Sequence, residues 1–229
     1  MSADVVAIDG PAGSGKSSVA RAAAERLGYR FLDTGASYRA VAWQGLETGV
    51  DLEDPDTVVR LTESTPLDQA LDPAERWVRV AERDVTNAIR EPRVSAATTF
   101  VARNQAARDR LNARFRAVIA EARPGVVVEG RDITTVVVPD ARVRILLTAD
   151  AAVRAQRRAR ELTEAGDSVD AETVLAAIAE RDAKDSAMVD FLTAAPGVEI
   201  IDSTLLSFDE TVDAVIALVR DSTDERGTT

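Results

Sequence analysis

The chain has 229 residues, with 28 lysines and arginines against 39 aspartates and glutamates, for a formal charge of −11 at pH 7. It has no cysteine and no histidine, so disulfides, thiolate metal sites and any imidazole base, nucleophile or ligand are excluded. The acidic balance argues against general nucleic-acid binding. No apolar run approaches membrane-spanning length and residues 1–10 are not a signal peptide, so the expectation is a cytoplasmic protein without a membrane partner.

In chain order, residues 5–8 (Val-Val-Ala-Ile) read as a short buried strand. Gly10, Pro11, Ala12, Gly13, Ser14, Gly15, Lys16, Ser17 and Ser18 follow, fitting G-x-x-x-x-G-K-[ST]. Such a loop wraps a phosphate with inward N–H groups. Lys16 is placed to reach the β- and γ-phosphates of a nucleotide and the Ser17 hydroxyl to ligate Mg²⁺. The run 17–27, rich in Ala and Arg and closed by Gly28, predicts a helix whose N-terminus faces the anion. Lys16 is one of only two lysines in the chain, the other being Lys184.

A strand over 29–32 and a helix over 37–47 come next, with Asp54-Pro55-Asp56 opening another helix. Asp33, between strand and helix, reads either as a group orienting an acceptor or a metal-bound water, or as a helix cap. Residues 65–89 change character, with Pro66 and Pro73 and short strands near 77–80 and 84–86, as in a small inserted subdomain. A helical region runs from 91 to 122 with a break near Asn104. Strands at 126–129 and 141–148, helices after Asp150 and Asp170, a strand at 198–201 and a helix over 207–219 complete the pattern. Ser207 and Glu210 form a capping-box pair. Apolar strands alternating with amphipathic helices predict an α/β fold, a parallel five-stranded sheet with helices on both faces. Ligands then bind at the carboxyl ends of the strands.

Arg154, Arg157 and Arg158 share a helix face by i, i+3, i+4 spacing. They read either as a phosphate-neutralising cluster or as a solvated face balanced by Glu161 and Glu164.

Several stretches taken in order carry a resemblance over nearly the whole chain. They are 8–16, 31–39 (Phe-Leu-Asp-Thr-Gly-Ala-Ser-Tyr-Arg), 84–86 with 89–90, 129–132 (Glu-Gly-Arg-Asp), 135–141, and 180–182 with 185–186. Together they resemble the bacterial cytidylate kinases of the nucleoside-monophosphate kinase group. The resemblance implies transfer of the γ-phosphoryl of ATP, with Mg²⁺, to CMP or dCMP. Asp33, Thr34, Tyr38 and Arg39 would line the acceptor site with Thr99, Arg108, Arg131 and Asp132. Arg157 and Arg158 would sit in a lid over the ATP phosphates, and Arg181 and Asp185 would reach the transferring phosphate and the acceptor sugar. The implied organisation is a core of 1–64, 98–150 and 189–221, an acceptor-binding insert of 65–97, a helical lid of 151–188 and a disordered tail of 222–229, acting as a monomer. Phosphoryl transfer needs mainly positioning and charge neutralisation, which suits a chain without His or Cys.

Two positions depart from the family pattern. Thr134 stands where a glycine is usual, a change expected to strain the turn or narrow the acceptor pocket. Met188 stands where an arginine is usual. The alternatives these leave are a related small kinase with another acceptor, UMP or AMP, or a nucleotide-binding homologue without turnover.

Overall fold

A computed structural model describes residues 4–164, 171–186 and 193–224. Five strands, β1 (Asp4–Asp9), β2 (Arg30–Asp33), β6 (Gly125–Gly130), β7 (Val143–Thr148) and β8 (Glu199–Asp202), form one sheet in the order β2-β6-β1-β7-β8. Every pairing in it is parallel. Successive strand residues face opposite sides of a sheet, and around the central strands β1 and β6 both sides are covered, which is why β1 and β6 read as apolar runs. Ala7, Val126 and Val128 pack into one core, under α2 (Thr34–Thr48), α3 (Pro55–Ser64), α4 (Pro92–Ala102) and α5 (Gln105–Glu121). Val6, Ile8 and Val127 pack into the other, under α1 (Lys16–Leu27) and α8 (Phe208–Asp224).

Between α3 and α4 lies a separate antiparallel sheet of β3 (Leu67–Gln69), β4 (Val78–Val80) and β5 (Arg83–Asp84). It is pinned to the core from two sides. Arg21 of α1 donates to the Pro73 and Glu75 carbonyls while stacking on Phe31, and Gln69 donates to Ser37 of α2. The helices α6 (Ala151–Glu164) and α7 (Ala171–Ser186) form a pair of their own, packed through Ala155, Val174 and Ile178.

The boundaries follow local chemistry. Asn104 breaks the 91–122 helical run because its side chain accepts from the Ala107 amide and starts α5 afresh. Ser207 and Glu210 make the reciprocal capping box at the start of α8. That helix continues to Asp224, so the first residues of the expected disordered tail, 222–224, are helical. The remaining tail residues and Met188 lie outside the described residues.

Candidate active site

The site forms where β1, β2 and β6 end. The backbone after β1 turns through residues 10–15 and enters α1 at Lys16. Gly15 caps α1 with φ 84°, a left-handed conformation that a side chain resists. A Cβ on Gly10 would lie 2.2 Å from the Leu147 carbonyl oxygen of β7, so the loop can sit this close to the sheet only with glycine there. The loop thus leads directly into a helix N-terminus, a position where backbone N–H groups favour an anion.

Facing it is a cavity of about 150 Å³. Lys16 and Ser17 form one wall, and Asp33, Thr34, Gly35, Tyr38, Arg39, Thr98, Ala102, Arg108, Glu129, Gly130, Arg131 and Asp132 the rest. In a chain of net charge −11 this lining gathers Lys16, Arg39, Arg108 and Arg131 against only three carboxylates. Thr99 is one step round α4 from Thr98 and is not among the lining residues.

The carboxylates hold the cations in place. Asp33 both caps α2, accepting from the Ala36 amide at 2.8 Å, and pairs with Arg39 at 3.2 Å. The cap reading of Asp33 is met, and the cap explains why α2 starts at Thr34, ahead of the expected 37. Arg108 of α5 donates to Asp132 at 2.7 Å, and Tyr38 lies half-buried beside this pair. Thr34 donates to the Glu129 backbone carbonyl at 2.8 Å, tying α2 to β6.

Glu129, the last side chain of a strand otherwise made of glycine and valine, was not singled out by sequence for a role. It is 3% exposed, accepts the Ser17 hydroxyl at 2.6 Å and lies 4.0 Å from the Lys16 ammonium. Burial and the nearby Asp33 charge push its pKa up, and Lys16, Ser17 and Arg39 offset this only in part. For Asp33, burial raises the pKa, but Arg39, the Ala36 amide, Arg90 and Lys16 outweigh it and hold the carboxyl below its ordinary value. Two neighbouring carboxyls are thus pushed apart, a pattern typical of working sites. The signal for Glu129 in the sequence is a charge ending a run of buried strand residues.

The arginine cluster divides. Arg154 is 8% exposed and donates from Nη1 to the Ala12 carbonyl at 2.9 Å and to Asp182 of α7 at 2.5 Å, and from Nε to the Ala149 carbonyl. Asp182 in turn accepts from the Ala12 amide at 3.2 Å. The N–H and the C=O of one phosphate-loop residue, Ala12, are therefore both gripped by the α6–α7 pair, and the reading of Arg154 as part of a phosphate-neutralising face is corrected: its guanidinium is spent on the loop itself. Arg157 donates to the Ser14 carbonyl, the Ser203 hydroxyl and the Ser203 carbonyl. Arg158, on the same helix, is exposed. Arg181 and Asp185 occur in α7 on the helix that carries Asp182, and their side chains lie outside the described residues.

Thr134 neither strains the turn nor enters the pocket. Among the described residues the non-glycine position with positive φ is Ala81, so the turn does not need glycine at 134. The Thr134 side chain is buried and its hydroxyl donates to Asp9.

A parallel sheet with a phosphate loop after its central strand, opposite a small cavity lined by arginines, defines a small phosphate-loop kinase. Residues 6–221 match the family profile of cytidylate kinase. The cytidylate kinase of Cutibacterium acnes is 47% identical over 216 residues, spanning 94% of this chain and 95% of its own length. That of Pelotomaculum thermopropionicum is 44% identical over 217 residues, with 93% and 95% covered. The crystal structure of a Thermus thermophilus protein shares the fold at 16% identity, with a TM-score of 0.50 over 96% of this chain and 98% of its own. The chain belongs to the cytidylate kinase family.

Proposed function

We propose that the chain transfers the γ-phosphoryl group of ATP to CMP and dCMP, giving ADP and the nucleoside diphosphate. The observation that carries this reading is a shared wall. Lys16 and Ser17 of the phosphate loop line the same cavity as Arg39, Arg108, Arg131 and Asp132. A donor phosphate in the loop and an acceptor phosphate in the cavity would thus meet at Lys16.

The chain's residues take the following roles. The loop amides and Lys16 hold the donor phosphates and stabilise charge developing on the transferring group. Arg39 and Arg131 receive the acceptor phosphate, and Arg108 with Asp132 presents a donor–acceptor pair to the base. Tyr38 and Thr34 close the wall beside them. Arg157, Arg158, Arg181 and Asp185, carried on α6 and α7, complete the site around the phosphates, and these helices act as the lid. The small antiparallel sheet covers the acceptor side. Closure excludes water, so the phosphoryl group passes to the nucleotide and is not lost to hydrolysis.

The donor set fits Mg²⁺. A Ser17 hydroxyl and the Glu129 and Asp33 carboxylates are hard oxygens, and Mg²⁺ is commonly held by one or two carboxylates, waters and substrate phosphates. When bound, Mg²⁺ would neutralise charge on the donor phosphates. We read the protein as a cytoplasmic monomer; among the described residues no helix is long and apolar enough to cross a membrane.

Arg108→Ala tests the acceptor side. It removes a charged partner from the cavity wall remote from the phosphate loop. The KM for CMP is expected to rise about ten- to a hundred-fold, the worth of a charge-assisted hydrogen bond of roughly 1.5–3 kcal/mol, while the KM for ATP stays within about two-fold. Steady-state kinetics with each substrate varied in turn decide it. A raised ATP KM with an unchanged CMP KM would contradict the assignment of this wall.

A further inference from the structure

β1 and β6 are neighbours in register, with Asp9 opposite Gly130. Beyond that pair the two chains diverge, one into the phosphate loop and the other through Arg131 and Asp132 into a π-helical turn at Ile133–Val137. The Asp9 side chain spans the fork. It is 3% exposed, and its carboxylate accepts the Ile133 amide on Oδ1 at 2.9 Å and the Thr134 amide on Oδ2 at 2.8 Å. A third donor, the Thr134 hydroxyl, reaches Oδ2 at 2.7 Å. One residue away, Arg131 donates across the same fork to the Gly10 carbonyl at 2.5 Å. The Thr134 carbonyl is held from behind by Arg144.

We propose that the Thr134 hydroxyl is a positioning group for phosphoryl transfer, locking the acceptor turn to the phosphate loop through Asp9. A carboxylate shut away from water is stabilised only by the donors around it. Burial pushes the pKa of Asp9 up, and the donors that oppose this all come from residues 133 and 134. Of these, the backbone amides are available to any sequence, whereas the hydroxyl is particular to threonine or serine. Its loss would leave Oδ2 with one buried donor fewer and loosen the separation between donor and acceptor phosphates, on which in-line transfer depends. The effect is therefore expected in kcat more than in either KM.

The turnover arm of the test rests on the phosphotransferase reading, so a second arm reads the lock directly. Thr134→Val keeps the shape and removes the donor, and Thr134→Ser keeps the donor. In the free protein, hydrogen exchange at the amides of residues 133 and 134, followed by NMR, is expected to be slow in the wild type and in T134S and roughly ten-fold faster in T134V. With ATP and CMP, T134V is expected to lose on the order of ten-fold in kcat with both KM values within two-fold of wild type, and T134S to recover most of the loss. Unchanged exchange in T134V overturns the proposal. So does a lowered thermal midpoint with wild-type kcat, or a T134S variant as slow as T134V. A wild type silent towards CMP would count against the substrate reading alone, because the exchange comparison still decides the lock.

Discussion

Replacing Glu129 with glutamine is expected to make the nucleotide-free protein more stable and the enzyme far slower. Glu129 is a buried carboxyl whose pKa is raised by burial and by Asp33, against the opposing pull of Lys16, Ser17 and Arg39. A carboxyl with a raised native pKa binds its proton more tightly folded than unfolded. Its charge therefore penalises the folded state, and the penalty grows as pH rises through the native value and is absent below the unfolded one. Glu129→Gln removes the charge and keeps the shape. Its thermal midpoint without nucleotide or metal should exceed that of the wild type by a few degrees near pH 8, each kcal/mol being worth about 2–4 °C in a chain of this size. The gain should shrink towards pH 5. In turnover the same change should cost on the order of 10²–10³ in kcat, the scale of removing one preorganised electrostatic contact, because Glu129 orients both Ser17 and Lys16. Melting scans at several pH values and a single kcat measurement decide both halves. A variant less stable than wild type at pH 8 would show that the ion pair with Lys16 outweighs the cost of burial.

The second large effect belongs to Arg154. Its guanidinium and the Asp182 carboxylate are both buried, and together they hold the backbone N–H and carbonyl of Ala12. Removing one partner of a buried pair leaves an uncompensated charge, at a cost of about 3–5 kcal/mol. Arg154→Met is therefore expected to lower the melting temperature by about 6–20 °C and to weaken ATP binding, since the loop is released along with the charge. The double variant Arg154→Met, Asp182→Leu separates the two effects. It removes the stranded carboxylate, so part of the stability should return, while ATP affinity should not, because the Ala12 N–H and carbonyl still lack their side-chain partners. Calorimetric melting and ATP titration of both variants test this. A single variant that melts like the wild type would contradict the role of the pair.

The sheet was legible in the sequence chiefly because its central strands are buried on both faces, which leaves runs such as 126–128 with no polar residue to confuse them. The phosphate loop was legible because its spacing is a backbone requirement. Element ends were less so: α2 starts at its cap Asp33, and a residue serving as both cap and ion-pair partner gives no sign of which role sets the boundary. Arg154, Arg157 and Arg158 share a helical face, but periodicity does not say what the face meets. The Arg154 guanidinium is committed to Ala12 of the phosphate loop and that of Arg157 to Ser14 and Ser203, while Arg158 is an exposed residue of the same helix. Thr134 could be recognised as a departure from the family pattern. Its compensation could not, because Asp9 lies 125 residues away in sequence and only the register of β1 with β6 brings the two together.

The central claim is that a donor phosphate in the loop and a CMP acceptor in the arginine-lined cavity react across Lys16. The most direct measurement is ADP formation from ATP and Mg²⁺ with CMP, dCMP, UMP, AMP and GMP offered in parallel and Lys16→Ala as the blank. ADP formed with CMP and dCMP well above the other acceptors, and lost in the blank, is the expected result. Turnover that favours UMP or AMP, or ADP formation undiminished in Lys16→Ala, would contradict it.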